Sequence, residues 1–567
     1  SLYIQVRINL KTYRKITYYL SMIVLIMIIA EFIDAMRNRK FSEFFKASGV
    51  LAVAAILAVL TSTTTLYANY EFGKETMRGK PILTENVDNQ TSGLDRDYVT
   101  QWSYGIGETW SLMIPNVKGG ASGYIGNDNP ALENTDPRLR STVAQNNAYW
   151  GDQPVTSGPV YVGAIVCFLF VLGLFVVKGK IKWVLLAATI LSILLSWGKN
   201  FMGFTDFFLD YFPMYNKFRA VSMTLVIAEV CMPILAFLAL AEVMKNPEIL
   251  KKNMYYLYVS FGLTAGLCLI FYLAPQVFFN FLSQGEAAQF AQLGAGKDGA
   301  IYQMLAAEIE NVRIAIFKKD AIRSFLFITV AAILLLLNIK GNLKKDTMFA
   351  LFAVLVVMDM FPINKRYLNN DNFIDKRRFE KPFVMSEIDK QILQDNSLNY
   401  RVMNLTTSTF NDASTSYFHK SIGGYHGAKL RRYQDIINRY LGGNKVGSDG
   451  FWNVLNMLNT KYLIYPQNNN KPVAMPNPDA FGNAWLVSDI KWVATPNEEI
   501  AAIENTDVKT MAIVNEEFRD VIGNFNPSSE LGTIQLASYK PNELIYNFNS
   551  SKDELVVFSE IWTSKGW

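Results

Sequence analysis

Two carboxylates four residues apart, Asp206 and Asp210, stand in a stretch crowded with aromatic rings, LSWGKNFMGFTDFFLDYFPMYNKFRAVS from Leu195 to Ser222. A helix puts both on one face. There they could act as a base on an acceptor hydroxyl, or hold a divalent cation against a phosphate. The plainer alternative is that they balance the cations of the same stretch, Lys199, Lys217 and Arg219. Those cations also have two readings. They neutralise a phosphate or pyrophosphate, Arg in bidentate fashion and Lys as a point charge; or they are snorkelling anchors at helix ends. The rings of Phe201, Phe204, Phe207, Phe208, Tyr211, Phe212, Tyr215 and Phe218 suit a headgroup boundary, where an apolar ring with a polar rim is at home.

Glu229 lies inside an apolar run, four residues before Pro233. The proline removes the N–H that would bond the Glu229 carbonyl, so the backbone is expected to loosen there. An intramembrane carboxylate is a functional candidate, and a protonated structural Glu is the competing reading. Glu108 opens the segment GETWSLMIPN, where a helix N-terminus favours an anion; it reads as a cap or as a site. That aromatic segment is expected to lie on the membrane. Arg313, Asp320 and Arg323 read as an ion-paired entry to a helix. His419 and His426 flank Gly423-Gly424 and read as structure or surface recognition. No spacing marks a dedicated metal centre, and no P-loop, nucleophile elbow or dinucleotide fingerprint stands in a supporting context. The one cofactor these residues leave open is a divalent cation.

The elements that must position these residues are apolar. Half of the 567 residues are hydrophobic, and the net charge is only +5. The basic residues cluster in short loops, which points to membrane orientation and away from nucleic acid. The cysteines Cys167, Cys231 and Cys268 fall in apolar runs, so no disulfide framework is expected. Apolar runs long enough to cross ~30 Å of hydrocarbon number about eight by hydropathy, at 17–36, 46–68, 158–177, 181–197, 219–244, 254–280, 323–340 and 346–362. Basic loops at 37–46, 178–182, 245–252 and 340–345 fall in the cytoplasm by the positive-inside rule. Alternation then puts 69–157, 198–218, 281–322 and 363–567 outside, with 1–16 the one disagreement. The fold class is a polytopic α-helical membrane protein. Residues 1–362 form the transmembrane domain, and 363–567 an extracytoplasmic α+β domain. Its strands are expected at Tyr400–Leu405, Lys461–Tyr465, Ala484–Val487, Met511–Val514, Gly532–Ser538, Glu543–Phe548 and Leu555–Trp562, with helices at 382–395 and 427–441. The last three strands alternate like one wall of a β-sandwich.

Several segments carry a resemblance: QVRINLKTYRKITYYL, GLDRDYVTQWSYGIGETWSLMIPN, LSWGKNFMGFTDFFLDYFPMYNKFRAVSM, DMFPINKRYLNNDNF, NDASTSYFHKSIGGYHGAKLRRYQ, LNMLNTKYLI and VVFSEIWTSKGW. By these the chain resembles the YfhO-like bacterial membrane proteins of the Bacteroidota type. The resemblance implies a GT-C-like glycosyltransferase of the bacterial cytoplasmic membrane. Such an enzyme takes a sugar from a polyprenyl-phosphate carrier and passes it to an envelope glycan or lipid on the outer face. Asp206 and Asp210 would be accessory acids, and Lys199, Lys217 and Arg219 phosphate contacts. Helices before Ser1, with the main acidic loop, and strands after Trp567 are also implied. Where that pattern tends to carry a His in the first exterior turn, this chain reads Asn9-Leu10-Lys11-Thr12-Tyr13. Two other functions remain: a flippase for an envelope lipid, centred on Glu229, and a non-catalytic assembly factor whose exterior domain binds glycan.

Overall fold

The computed structural model describes residues 2–467, 472–523 and 530–564. The chain divides into two units. Residues 1–60 and 96–373 build the first, and 61–95 with 374–567 the second.

The first unit is helical. Its main helices are α1 (Leu2–Asn38), α2 (Phe41–Thr61), α3 (Ala164–Val176), α4 (Ile181–Ser196), α5 (Met202–Tyr211), α6 (Val226–Lys245), α7 (Met254–Leu273), α8 (Gln284–Gly294), α9 (Gly299–Ile339) and α10 (Lys345–Tyr367). Six of these, α1, α2, α6, α7, α9 and α10, are long and apolar enough to cross a membrane, or up to seven spans if α4 with its bent continuation is counted. The expected eight therefore include one run that is too short. At 13 residues α3 spans only about 20 Å. It is apolar because it is enclosed: it packs on α6, α7 and α9 and buries Ile165, Phe168, Leu169 and Leu172. By contrast α2 buries no residue at all among those described.

Helix α9 runs unbroken for 41 residues, so the stretch before the expected span at 323–340 is one helix with it. Arg313, Asp320 and Arg323 do form ion pairs, one with α8 and two with α10. Arg313 binds Glu286 of α8 at 2.7 Å, Asp320 binds Arg366 of α10 at 2.6 Å, and Arg323 binds Asp359 of α10 at 3.0 Å. Asp359 is buried and also accepts from Tyr161 Oη (2.6 Å) and from the Ala164 N–H (3.0 Å) that opens α3. A carboxylate at a helix start meets unpaired N–H groups and the positive dipole end. Helix α6 continues through Pro233 without a break.

Between α2 and α3, strands β1 (Gly119–Tyr124) and β2 (Asn147–Tyr149) pair antiparallel. Gly119 has φ +80, and a Cβ there would strike the Ala148 carbonyl oxygen and come within 2.7 Å of Trp150 Cζ3. Gly119→Ala is expected to destabilise this pair by about 1–3 kcal/mol, read as a lowered unfolding midpoint. An unchanged midpoint would show that the hairpin relaxes around the methyl group.

The second unit carries small sheets. Strands β3 (Arg401–Asn404), β4 (Thr460–Pro466) and β5 (Pro472–Pro476) form a three-stranded sheet. The others pair in twos: β6 (Ala484–Val487) with β11 (Leu555–Phe558), β7 (Asp489–Val493) with β8 (Met511–Asn515), and β9 (Thr533–Lys540) with β10 (Glu543–Asn549). The last three strands thus do not form one wall, because β11 leaves the β9–β10 hairpin and pairs with β6. The helices are shorter than expected, at Glu387–Ile392 and Arg431–Leu441. Segment 61–95 joins this unit through Asp95–Arg431 (2.9 Å), Glu85–Arg439 (3.0 Å) and a β-bridge between Thr76 and Leu430. Met403, Ile437, Phe451, Leu455 and Leu463 make its core.

Candidate functional site

Glu108 is a buried carboxyl held by several donors. It sits in a short 3-10 helix, Gly107–Leu112, and is 3% exposed. Its Oε2 accepts from the Gly105 N–H at 3.2 Å, the reach-back of a helix cap. Tyr149 Oη donates to it at 3.0 and 3.1 Å, and Gln153 Nε2 at 3.2 Å. Gln153 N–H in turn donates to Tyr149 Oη at 3.0 Å, which fixes the phenol. Burial pushes the Glu108 carboxyl up to about 7, with the Asp152 charge adding to the rise, against the three donors that oppose it. A carboxyl titrating near neutral pH can both take and return a proton.

The surroundings of Glu108 grade from closed to open. Asp152 is exposed, while Lys118 and Gln153 are half-buried. Lys118 Nζ donates to the Asn280 carbonyl at 2.8 Å and keeps two further N–H donors. Burial lowers its pKa, the nearby Arg313 lowers it further, and Asp152 and Glu108 resist. Asp152 Oδ2 accepts from Asn200 Nδ2 at 3.0 Å. One base, one cation and a second carboxylate therefore lie close enough to act on one another electrostatically. Of the segment expected to lie on the membrane, Ser111, Leu112, Met113 and Ile114 are buried, while Trp110 is exposed.

Asp206 and Asp210 do fall on one face of α5, but a different cation meets them. Arg96 binds Asp206 through Nε at 2.9 Å and Asp210 through Nη2 at 2.9 Å. A divalent cation between those carboxylates would have to displace that guanidinium. Arg219 is engaged by aromatic groups: Nη1 donates to Tyr98 Oη at 2.6 Å, and the guanidinium lies 5.1 and 4.9 Å from the Tyr98 and Trp102 rings. Lys199 is exposed, and its backbone N–H donates to Ser103 Oγ at 2.8 Å. Lys217 is half-buried, and burial lowers its pKa. Glu229 lies on an exposed edge in the first turn of α6, near the start of the helix and away from its middle.

In the second unit His419 Nε2 meets Asp389 Oδ1 at 2.8 Å, and His426 Nδ1 accepts from the Ala428 N–H. Among the described residues no group of three or more His, Cys, Asp or Glu side chains gathers as a metal site. Sequence reasoning missed Arg96, Lys118, Tyr149, Asp152 and Gln153. Only GLDRDYVTQWSYGIGETW held a hint, and for Arg96 alone: three charges, Asp95, Arg96 and Asp97, ahead of an aromatic run. Comparison of the chain with protein-family profiles, curated proteins and solved structures returned no match.

Proposed function

We propose that this chain is a membrane glycosyltransferase that moves a sugar from a polyprenyl-phosphate carrier to an envelope glycan or lipid on the outer face of the bacterial cytoplasmic membrane. The observation that carries the reading is Glu108, a buried carboxyl held by three donors beside Lys118. The long apolar helices and the basic loops between them support the membrane placement. The resemblance supports the donor class and the extracytoplasmic side of 363–567.

Transfer needs a base on the acceptor and a cation for the departing phosphate. In this reading Glu108 takes the acceptor hydroxyl proton as that oxygen bonds the anomeric carbon. The bond from the anomeric carbon to the phosphate oxygen breaks with its electron pair, and Lys118 meets the charge. Tyr149 and Gln153 keep the carboxylate aimed. Asp206 and Asp210 position Arg96 and hence α5. The flippase reading draws less support, since Glu229 sits in the first helical turn.

The test is the full chain reconstituted in vesicles with radiolabelled polyprenyl-phosphate hexoses and a lipid-extracted envelope glycan. Acceptor-dependent movement of label from lipid to glycan is expected. Donors that bind and flip across the bilayer with label still on lipid would replace this reading by transport.

A further inference from the structure

Helix α4 ends at Ser196, and the continuation Gly198–Tyr211 leaves it at 109°. Helix α4 has 16 residues and counts toward a span only together with this continuation; with α4 upright in the bilayer, a helix leaving it near a right angle runs along the bilayer plane. Its two sides differ in a telling way. Thr205, Phe208 and Leu209 face inward and are buried. The outward edge carries Phe207 and Tyr211, exposed by 56% and 77%, and Met214 just past the end of the helix is 62% exposed. An edge facing water would carry polar residues. Large aromatic and sulfur side chains on the outer edge of an in-plane helix suit the boundary between headgroups and acyl chains. The apolar surface continues onto α4, where Trp183 and Ile190 are exposed.

The charges of α5 fit that depth. Its two carboxylates share the Arg96 guanidinium, so neither is carried there as a lone charge. The far end is held in a bent path by two non-glycine residues in the left-handed region, Met214 at φ +62 and Ala220 at φ +66. The Ala220 N–H donates to the Val99 carbonyl at 3.2 Å, and the Ser222 N–H to the Trp102 carbonyl at 3.2 Å.

The near end is bolted to the segment that bears Glu108. Asn200 Nδ2 donates to the Tyr104 carbonyl at 2.9 Å, and Trp197 Nε1 to Thr109 Oγ1 at 2.8 Å. The Lys199 N–H to Ser103 Oγ adds a third tie. Gly198 admits no side chain here, since a Cβ would strike Ser103.

We propose that α5 lies flat in the lipid headgroup boundary, with the lipid surface as the occupant of its outward edge. Fastened in this way, α5 acts as a depth gauge that holds Glu108 at headgroup level. Whatever reacts at Glu108 is then met at the bilayer surface. The inference rests on the helix angle and the ties, and holds whether the chemistry is sugar transfer or not.

The test places spin labels on Gly203→Cys, Phe207→Cys, Tyr211→Cys, Met214→Cys and Ile106→Cys in the full chain, in phosphatidylcholine–phosphatidylglycerol vesicles. The native cysteines are buried, and Gly203 faces open space, so its label leaves packing undisturbed. Accessibility to oxygen and to a nickel chelate gives each label's depth. The three α5 labels and the one at Met214 just beyond it are expected within about 5 Å of one level at the headgroups, with Ile106 beside them. A depth that changes steadily by about 1.5 Å per residue would make α5 a re-entrant arm and overturn the proposal. Labels open to bulk water would overturn it equally, and an Ile106 label far from the α5 level would overturn the depth-gauge role.

Discussion

Glu108→Gln is expected to lower the rate of sugar transfer by about 10²- to 10⁴-fold, the usual contribution of a positioned base, while the protein still inserts and folds. The amide keeps the shape of the carboxyl and still accepts from Tyr149, so its surroundings have no reason to collapse. What it loses is the capacity to take a proton. In the wild type, transfer should rise with pH through about 7 as the carboxyl ionises; in the variant that rise should vanish. Stability supplies a second readout of opposite sign. The folded-state pKa of about 7 stands above the ordinary 4.5, so this group's contribution is complete below about 4.5. It is lost as pH rises through 7, by about 3 kcal/mol in all. The Gln variant should lack that decline and unfold later than wild type at pH 8. Wild-type transfer with an unchanged pH profile in the variant would remove Glu108 from the chemistry.

Arg313→Met should produce the largest loss of stability, about 3–5 kcal/mol. Arg313 is fully buried, with Nη1 and Nη2 both on the Glu286 carboxylate at 2.8 and 2.7 Å. Its remaining Nη donors reach the Phe281 and Asn147 carbonyls at 2.8 Å each, and it lies 5.2 Å from the Trp150 ring. One side chain thus joins α8, the β1–β2 hairpin and α9. Although burial raises the Glu286 carboxyl, the Arg313 hydrogen bonds and charge and the Ser283 N–H hold it below its ordinary value. Methionine leaves that carboxylate with the Ser283 N–H but without its cation, and takes the Arg313 donors from two carbonyls. The double variant Arg313→Met, Glu286→Leu should recover part of the loss, because no charge is then left buried alone. Equal unfolding midpoints for the single variant and wild type would show that the pair contributes nothing net.

The parts legible in the sequence were those with a local period. Asp206 and Asp210 share a face because helical spacing dictates it, and Ala484–Val487 is a strand from end to end because an extended apolar run between turns leaves little else. Partners were not legible. Arg96 meets Asp206 across 110 residues, and β11 reaches back to β6; neither leaves a spacing to read. The surroundings of Glu108 were half visible: the acid stood out, but Lys118 and Asp152 lie in irregular chain, and Tyr149 ends a three-residue strand too short to show a period. Hydropathy overcounted at α3, since an apolar run records removal from water and does not say whether lipid or protein removes it.

The second unit is assembled from two stretches of chain, 61–95 and 374–567, separated by most of the membrane helices. This sets an order of events in synthesis. Segment 61–95 emerges first, with Glu85 and Asp95 lacking Arg439 and Arg431 until the ribosome has passed those positions. At ~5–20 residues per second the wait lasts on the order of tens of seconds. During it an early segment waits for its partners while helices α3 to α10 are made. Completion of the second unit therefore comes only after the whole helical stretch between its two pieces has been synthesised. A truncated 374–567 would lack the piece that closes this unit.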